Sequence, residues 1–276
     1  MNTFIKIETL ILTKNIKITI LISTYNKSGF IKNTIKSCLN QNYKNYEIVV
    51  VDTGSNDGTV EKLKSYFKFR KIKIIYIKRK YESSALNQIN AIETGLSISK
   101  GKIICLLDGD DKFRENKLKE INNFFLKNQN ASLVQDTLKS FKNLNYYKEL
   151  NRYFLFFKIL PRFFPTSTFS IRKDSLKKFL KNHSFKNLSL LEIDARLYFF
   201  SKIFKKNHLF VDKRLTIYTH DPNGISSKYK KFSSQWLKKR KQAHIFLKSF
   251  YKNNKYPYKT DFILTRLLHF IIKTIN

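Results

Sequence analysis

Three aspartates fall within four consecutive positions, Asp108-Gly109-Asp110-Asp111, in a chain with only 20 acidic residues among 276. Like charges at this spacing repel, so the cluster is costly unless a cation neutralises it. Carboxylate oxygens suit Mg²⁺ or Mn²⁺, ions that commonly tie a protein to substrate phosphates. The alternative is a turn capping a helix from Phe113, although one aspartate would suffice for that. Two more polar clusters follow apolar runs: Ser23-Thr24-Tyr25-Asn26 after Leu21-Ile22, and Asp52-Thr53-Gly54-Ser55-Asn56-Asp57-Gly58-Thr59 after Val49-Val50-Val51. In the second, Asn56 or Asp57 can cap a helix and the glycines can serve a turn. Asp52 differs, standing where a ligand could reach it.

These clusters act together only if strands carry them to one edge. The first ~110 residues alternate β-branched runs with longer amphipathic stretches, the βαβα pattern of a parallel sheet. Strands are expected at Lys17–Ile22, Tyr46–Val51, Ile72–Ile77 and Lys102–Leu107, with helices near Phe30–Asn40, Val60–Phe67 and Ala85–Ser99. Near-continuous apolar strands such as Ile48-Val49-Val50-Val51 fit a sheet covered on both faces. Open parallel sheets bind ligands beyond the carboxyl ends of their strands, and all three clusters fall there. Six of the seven glycines precede residue 110 and all four prolines follow it, marking a change of character. In the second half, helices are expected near Arg114–Lys127 and Ser189–Phe204, and strands at Thr166–Ile171 and Leu209–Tyr218.

Composition narrows the classes. Lys and Arg number 54 against the 20 acids, a net charge of +34 that implies a polyanionic partner: nucleic acid, an anionic membrane face or a phosphorylated substrate. A hydrophobic content of 42% allows a real core and excludes a fully disordered chain. Cys38 and Cys105 read as buried apolar residues in a reducing compartment. No apolar run reaches the roughly eighteen residues of a membrane span. Lys14 and Lys17 interrupt any signal-peptide pattern. A cytoplasmic protein is the expectation.

In this order and at these strand ends, LISTYN, VVVDTGSNDGT and LLDGDD resemble glycosyltransferase family 2. The likeness is strong over about residues 17–112 and weaker to about residue 226. It implies a GT-A type α/β fold: a Rossmann-like, mostly parallel sheet flanked by helices, with a C-terminal helical extension. Residues 1–125 would form the nucleotide-sugar-binding half, 126–226 the acceptor-binding half of the same domain, and 227–276 a basic helical extension. The implied activity is inverting, metal-dependent transfer of a sugar from a nucleotide-sugar donor to an acceptor hydroxyl, in envelope polysaccharide or glycolipid synthesis. Ser23, Thr24, Tyr25, Asn26, Asp52, Asp108, Gly109 and Asp110 would hold the donor, and Asp110 with Asp111 the Mg²⁺ or Mn²⁺. His220, in Leu215–Ser227, stands where family members often bring a His or Arg to the diphosphate. Many members carry an Asp where this chain has Thr53.

The resemblance also asks for a base. Transfer with inversion needs a carboxylate beside the acceptor hydroxyl, and the second half offers Glu192 and Asp194. Helical residues i and i+2 lie about 200° apart, so the two are not expected to converge on one sugar. That argues against a glycosidase, whose carboxylates flank a single bond. Ser189-x-x-Glu192 reads as a capping box, a structural task for Glu192. Asp194, expected beyond the first turn, matches the Asp of the family's Glu-Asp pair and is the candidate base. An ion pair with Arg196 is the alternative.

Between Pro222 and Thr260 there is no acidic residue, while ten basic ones lie between Lys228 and Lys255, interleaved with aromatics. This tail, with Leu155–Phe164 and the apolar Phe262–Ile275, would either pack on the core or a sister subunit or touch an anionic bilayer at the inner face of the plasma membrane. The acceptor would be a saccharide or lipid-linked saccharide, and nucleic acid is not the expected partner. Two other readings compete. A sugar nucleotidyltransferase would normally show a Gly-rich phosphate loop after the first strand, which STYN is not. A nucleic-acid- or membrane-binding basic protein on an inactive scaffold would bind salt-sensitively and ignore Asp110→Asn.

Overall fold

The computed structural model describes residues 15–138, 159–160, 164–183, 187–203, 208–222, 224–225, 229–251 and 256–275. The first half is built as the apolar runs dictate. Strands β1 (Ile18–Thr24), β2 (Tyr46–Asp52), β3 (Ile72–Tyr76) and β4 (Ile103–Asp108) pair in parallel. Helices α1 (Ile31–Leu39), α2 (Thr59–Lys64) and α3 (Ser84–Ile98) connect them. Successive strand residues face opposite ways, and the core divides accordingly. Leu21, Val49, Val51 and Leu106 pack with Ile89, Ile92 and Leu96 of α3. Ile20, Ile22, Ile48, Val50 and Leu107 pack with Ile31, Ile35 and Cys38 of α1 on the other face. Burial on both faces is why these strands lack polar alternation.

The seven-stranded sheet has the order β3-β2-β1-β4-β7-β6-β8. The chain runs outward from β1 to β3 and then returns to place β4 on the other side of β1. That reversal opens a crevice at the carboxyl ends of β1 and β4. The register puts Ser23 opposite Asp108 and Thr24 opposite Asp52, so the three polar clusters share one edge.

The second half departs from the sequence reading in detail. After the short β5 (Lys112–Phe113), α4 covers Lys117–Lys127, starting later than expected. Strand β6 (Leu133–Asp136) was not expected. The run from Thr166 opens as a 3-10 turn, closed by Thr168 donating through N and Oγ1 to Pro165 O, and becomes β7 (Phe169–Arg172) only afterwards. Helices α5 (Lys173–His183) and α6 (Ile193–Ile203) follow. The expected strand over Leu209–Tyr218 is two strands in two sheets. The charged corner Asp212-Lys213-Arg214 is exposed and separates β8 (His208–Val211), beside β6, from β9 (Thr216–Ile217), which pairs with β5. Strand β7 is antiparallel to both neighbours, β4 and β6.

Helices α7 (Ser234–Lys248) and α8 (Lys259–Ile275) close the chain, and Leu237, Ala243, Phe246 and Leu247 of α7 are buried. Of the aromatic run 155–164, only Ile159, Leu160 and Phe164 lie within the described residues; Leu160 and Phe164 are buried. Among the described residues no helix is long and apolar enough to cross a membrane.

Gly101 shows how tightly α3 returns to the sheet. A Cβ there would stand 2.4 Å from Thr19 N and 2.7 Å from Ile18 C, backbone atoms that cannot step aside. Gly101→Ala is expected to lower stability by about 1–3 kcal/mol, the usual cost of overpacking. The loss would show as a lower urea midpoint with an unchanged slope.

Candidate active site

The acidic cluster forms the turn that leaves β4, and its members face different ways. Asp108 Oδ1 accepts from Gln88 Nε2 at 2.8 Å and Ser23 Oγ at 3.3 Å. Asp111 is 1% exposed, with Oδ2 accepting from Ser167 Oγ at 2.5 Å and Oδ1 from Thr219 N at 2.8 Å. Ser167 Oγ also accepts from Asp108 N at 3.0 Å, so one hydroxyl fastens both ends of the turn. Burial, then Asp110, pushes the Asp108 carboxyl up to about 7. Burial, then Asp108, pushes Asp111 up to about 8.

Asp110 makes a different contact. Its Oδ2 lies 2.5 Å from Lys27 Nζ, and the same ammonium pairs with Asp221 Oδ2. Burial disfavours the charge on Lys27, yet the two carboxylates outweigh it and hold the ammonium above its ordinary pKa. Lys27 and Asp221 are 194 residues apart, so this pair joins the first strand end to the segment after β9.

A cavity of about 470 Å³ opens over these groups. Ser23, Thr24, Tyr25, Asn26, Lys27 and Thr53 line it from the ends of β1 and β2, and Asp108, Gly109 and Asp110 from the end of β4. Arg79, Ser84, Asn87 and Gln88 contribute from the start of α3 and the loop before it, and Tyr218, Thr219 and Asp221 from beyond β9. The Arg79 guanidinium stands 4.0 Å from the Tyr25 ring centroid, a cation–π pair at the wall.

Glu192 and Asp194 also line this cavity, which corrects the expectation that they diverge. Helix α6 begins at Ile193, so Glu192 precedes it and the angular rule for two helical residues does not apply. Ser189 is no cap either, since the helix does not begin until Ile193; its carbonyl accepts from Ser83 Oγ. Glu192 Oε1 accepts from Lys239 Nζ at 2.5 Å. Asp194 sits in the first turn, not beyond it, and its Oδ1 accepts from Ala195 N at 2.6 Å. Burial, then Glu192, pushes its carboxyl up to about 7. Arg196 is fully buried and donates to the carbonyls of Leu191 and Leu188.

Three expected site residues do not reach the cavity wall. Asp52 is fully buried, and its own loop takes both oxygens: Gly54 N at 3.0 Å and Ser55 N at 2.9 Å on Oδ1, Ser55 Oγ at 2.5 Å on Oδ2. His220 is exposed, while its neighbours Thr219 and Asp221 line the wall. Asp111 is held below the turn by Ser167 and Thr219. Lys27, Arg79, Gln88 and Asp221 were missed. Lys27 directly follows the STYN cluster, and Arg79 lies just past the carboxyl end of β3, so the strand-end rule could have found both.

Beneath the turn, Lys117 and Asp136 form an ion pair with both side chains fully buried. Lys117 Nζ also donates to Thr216 Oγ1 at 3.0 Å and approaches Ser167 O at 3.4 Å. Thr216 Oγ1 donates to Ser167 O at 3.0 Å. Ser167, which fastens the acidic turn, is therefore held from below by this pair.

Among the described residues no three His, Cys, Asp or Glu side chains form a ready metal nest. The donor chemistry nonetheless fits Mg²⁺ or Mn²⁺. Asp110 and Asp221 already converge on one cation, and such ions are typically held by one or two carboxylates with substrate phosphates completing the shell. Asp111, with both oxygens engaged, does not fit as a ligand.

Comparison with known proteins speaks to the family and the fold. The sequence profile of Glycosyl transferase family 2 matches residues 19–206. The UDP-Glc:alpha-D-GlcNAc-diphosphoundecaprenol beta-1,3-glucosyltransferase WfaP of Escherichia coli is 36% identical over 101 residues, 37% of this chain and 38% of that protein. The chain spans less than half the length of the curated relatives it matches. The structure of S. aureus TarS 1–349 in complex with UDP-GlcNAc superposes with a TM-score of 0.64 at 15% identity, covering 94% of this chain and 74% of that one. The mannosyltransferase PcManGT of Pyrobaculum calidifontis, in complex with GDP-Man and Mn²⁺, gives 0.63 at 15% identity, covering 95% and 74%. At such identity the structural likeness speaks for the GT-A fold alone. The profile takes in more than half of the chain and all three strand-end clusters, and the chain belongs to glycosyl transferase family 2.

Proposed function

We propose that the protein is an inverting glycosyltransferase that moves a sugar from a nucleoside-diphosphate sugar to a hydroxyl of a saccharide or lipid-linked saccharide. The observation that carries this reading is the shared cavity, in which Asp194 faces the same space as Asp108, Gly109 and Asp110. A Mg²⁺ or Mn²⁺ held by Asp110 and Asp221 would supply positive charge against the departing diphosphate. The Lys27 ammonium, which stands between those carboxylates, would be released by the ion and meet diphosphate oxygens instead. Tyr25 and Arg79 offer a flat, cationic wall to a nucleobase, and Ser23, Thr24 and Asn26 offer hydrogen bonds to the donor.

Asp194 takes the proton of the acceptor hydroxyl as that oxygen attacks the anomeric carbon. A carboxyl pushed up to about 7 serves well: it is ionised just above neutral pH, yet basic enough to accept a proton. A polysaccharide or glycolipid product is supported by WfaP, whose name records a lipid-diphosphate-linked acceptor.

Calorimetric titration with UDP-, GDP- and dTDP-sugars, with and without Mn²⁺, tests the proposal. One nucleotide class is expected to bind in a metal-dependent way, and Asp110→Asn to weaken that binding at least about tenfold, because a charge-assisted contact is lost. Absence of any donor binding, together with salt-dependent DNA or RNA binding unchanged by Asp110→Asn, would overturn it.

A further inference from the structure

Helix α8 turns an apolar face to solvent. Ile263, Leu264, Leu267, Phe270 and Ile271 are 57%, 54%, 55%, 68% and 47% exposed. At about 100° per residue these five side chains span roughly 120° of the helix, the width of stripe that normally faces a core. The opposite side buries Asp261 and Thr265. Single exposed apolar side chains are ordinary; a continuous stripe marks an interaction surface.

Charge selects the occupant. Lys259, Arg266 and Lys273 fall together along one border of the stripe, and all three are exposed. Lys238 and Lys241 of α7 stand close enough to act with Lys273 on His269, whose pKa falls through burial and these three cations. Helices α7 and α8 together carry eight Lys and Arg and one acid, Asp261, which pairs with Arg240 at 2.5 Å. A second copy of the chain on this face would add its own cations to the seam and bring no acid to match them, since Asp261 is buried and paired. An uncharged partner would cover the stripe and leave the cations unmatched.

We propose that α8 lies in the surface of an anionic bilayer, its apolar stripe among the acyl chains and its cationic border among the headgroup phosphates. Both halves of the helix surface then meet their complement. No cavity residue takes part, so the proposal stands whether or not the enzymatic reading does.

Co-sedimentation of the full chain with vesicles tests it, without donor or acceptor present. Vesicles of phosphatidylcholine with phosphatidylglycerol are expected to bind at least about tenfold tighter than phosphatidylcholine alone, and the difference to shrink with salt. Leu267→Gln with Phe270→Gln should weaken binding about a hundredfold, since each buried side chain is worth roughly a factor of ten. Thermal melts of this exposed-surface variant should match wild type. Arg266→Gln with Lys273→Gln should cost about fivefold per cation, on anionic vesicles only. Two results would overturn the proposal: no binding to either vesicle, or a dimer in light scattering that Leu267→Gln with Phe270→Gln dissociates.

Discussion

Asp194→Asn is expected to lower kcat by about 10²–10⁴-fold, the usual contribution of a positioned general base, with donor affinity nearly unchanged. Asparagine keeps the size of the side chain and can still accept from Ala195 N, so the loss would be chemical. The pH profile sharpens the test. The carboxyl is pushed up to about 7, so wild-type kcat should rise with pH through that region as the acid ionises, then level off. The variant should lose that limb. Stability should move the other way. Because the folded state holds this proton more tightly than the unfolded chain, ionising Asp194 costs stability between its unfolded pKa and about 7. Asp194→Asn removes that cost, so above neutral pH the variant should melt higher than wild type while turning over far more slowly. A variant as active as wild type, with the same rise through neutral pH, would remove Asp194 from the chemistry.

The largest effect on stability is expected at Lys117. Lys117→Met would leave Asp136 charged and unpaired in the core, which typically costs about 3–5 kcal/mol. Burial already raises the Asp136 pKa against the pull of Lys117. Without the ammonium the carboxyl should rise further, and the folded state should take up a proton. The loss should be greatest above neutral pH and shrink in mild acid, read from urea midpoints at two pH values. Lys117→Met with Asp136→Leu should recover much of it, since replacing both ions by apolar groups is often neutral. The single variant should also weaken donor binding, because Ser167 O accepts from the same network and Ser167 Oγ fastens the acidic turn.

Three of the four parallel strands, β1, β2 and β4, were legible because burial on both faces writes itself as near-continuous apolar runs; β3, at the sheet edge, is buried only at Ile72. Their carboxyl ends were legible for the same reason, and the acidic turn stood out against a basic chain. Reading failed where structure depends on distant partners. Strands β5 and β9 are two residues each and exist by pairing with one another across about a hundred positions, with no local pattern to announce them. Glu192 was misplaced because the Ser189-x-x-Glu192 pattern fits a capping box, while the helix begins only at Ile193. The Lys27–Asp221 contact could not be foreseen from either neighbourhood. Asp52 was expected at a ligand because of its place on the strand; its own loop, through Ser55 and Gly54, holds it instead.

The antiparallel β7 dictates an order of assembly. It enters between β4 and β6, with Ile104 opposite Ile171 and Cys105 opposite Ser170. During synthesis, β1 to β4 can pair as soon as residue 108 is free, but one edge of β4 stays open until residue 172 has emerged. That edge is Ile103-Ile104-Cys105, an apolar stretch, and an unpaired apolar edge recruits other strands. At typical elongation rates of about 5–20 residues per second, it stays open for some seconds. A nascent chain stalled before residue 165 should therefore be the species that chaperones hold and that aggregates when they are scarce. One stalled well past residue 172 should be protected from both fates.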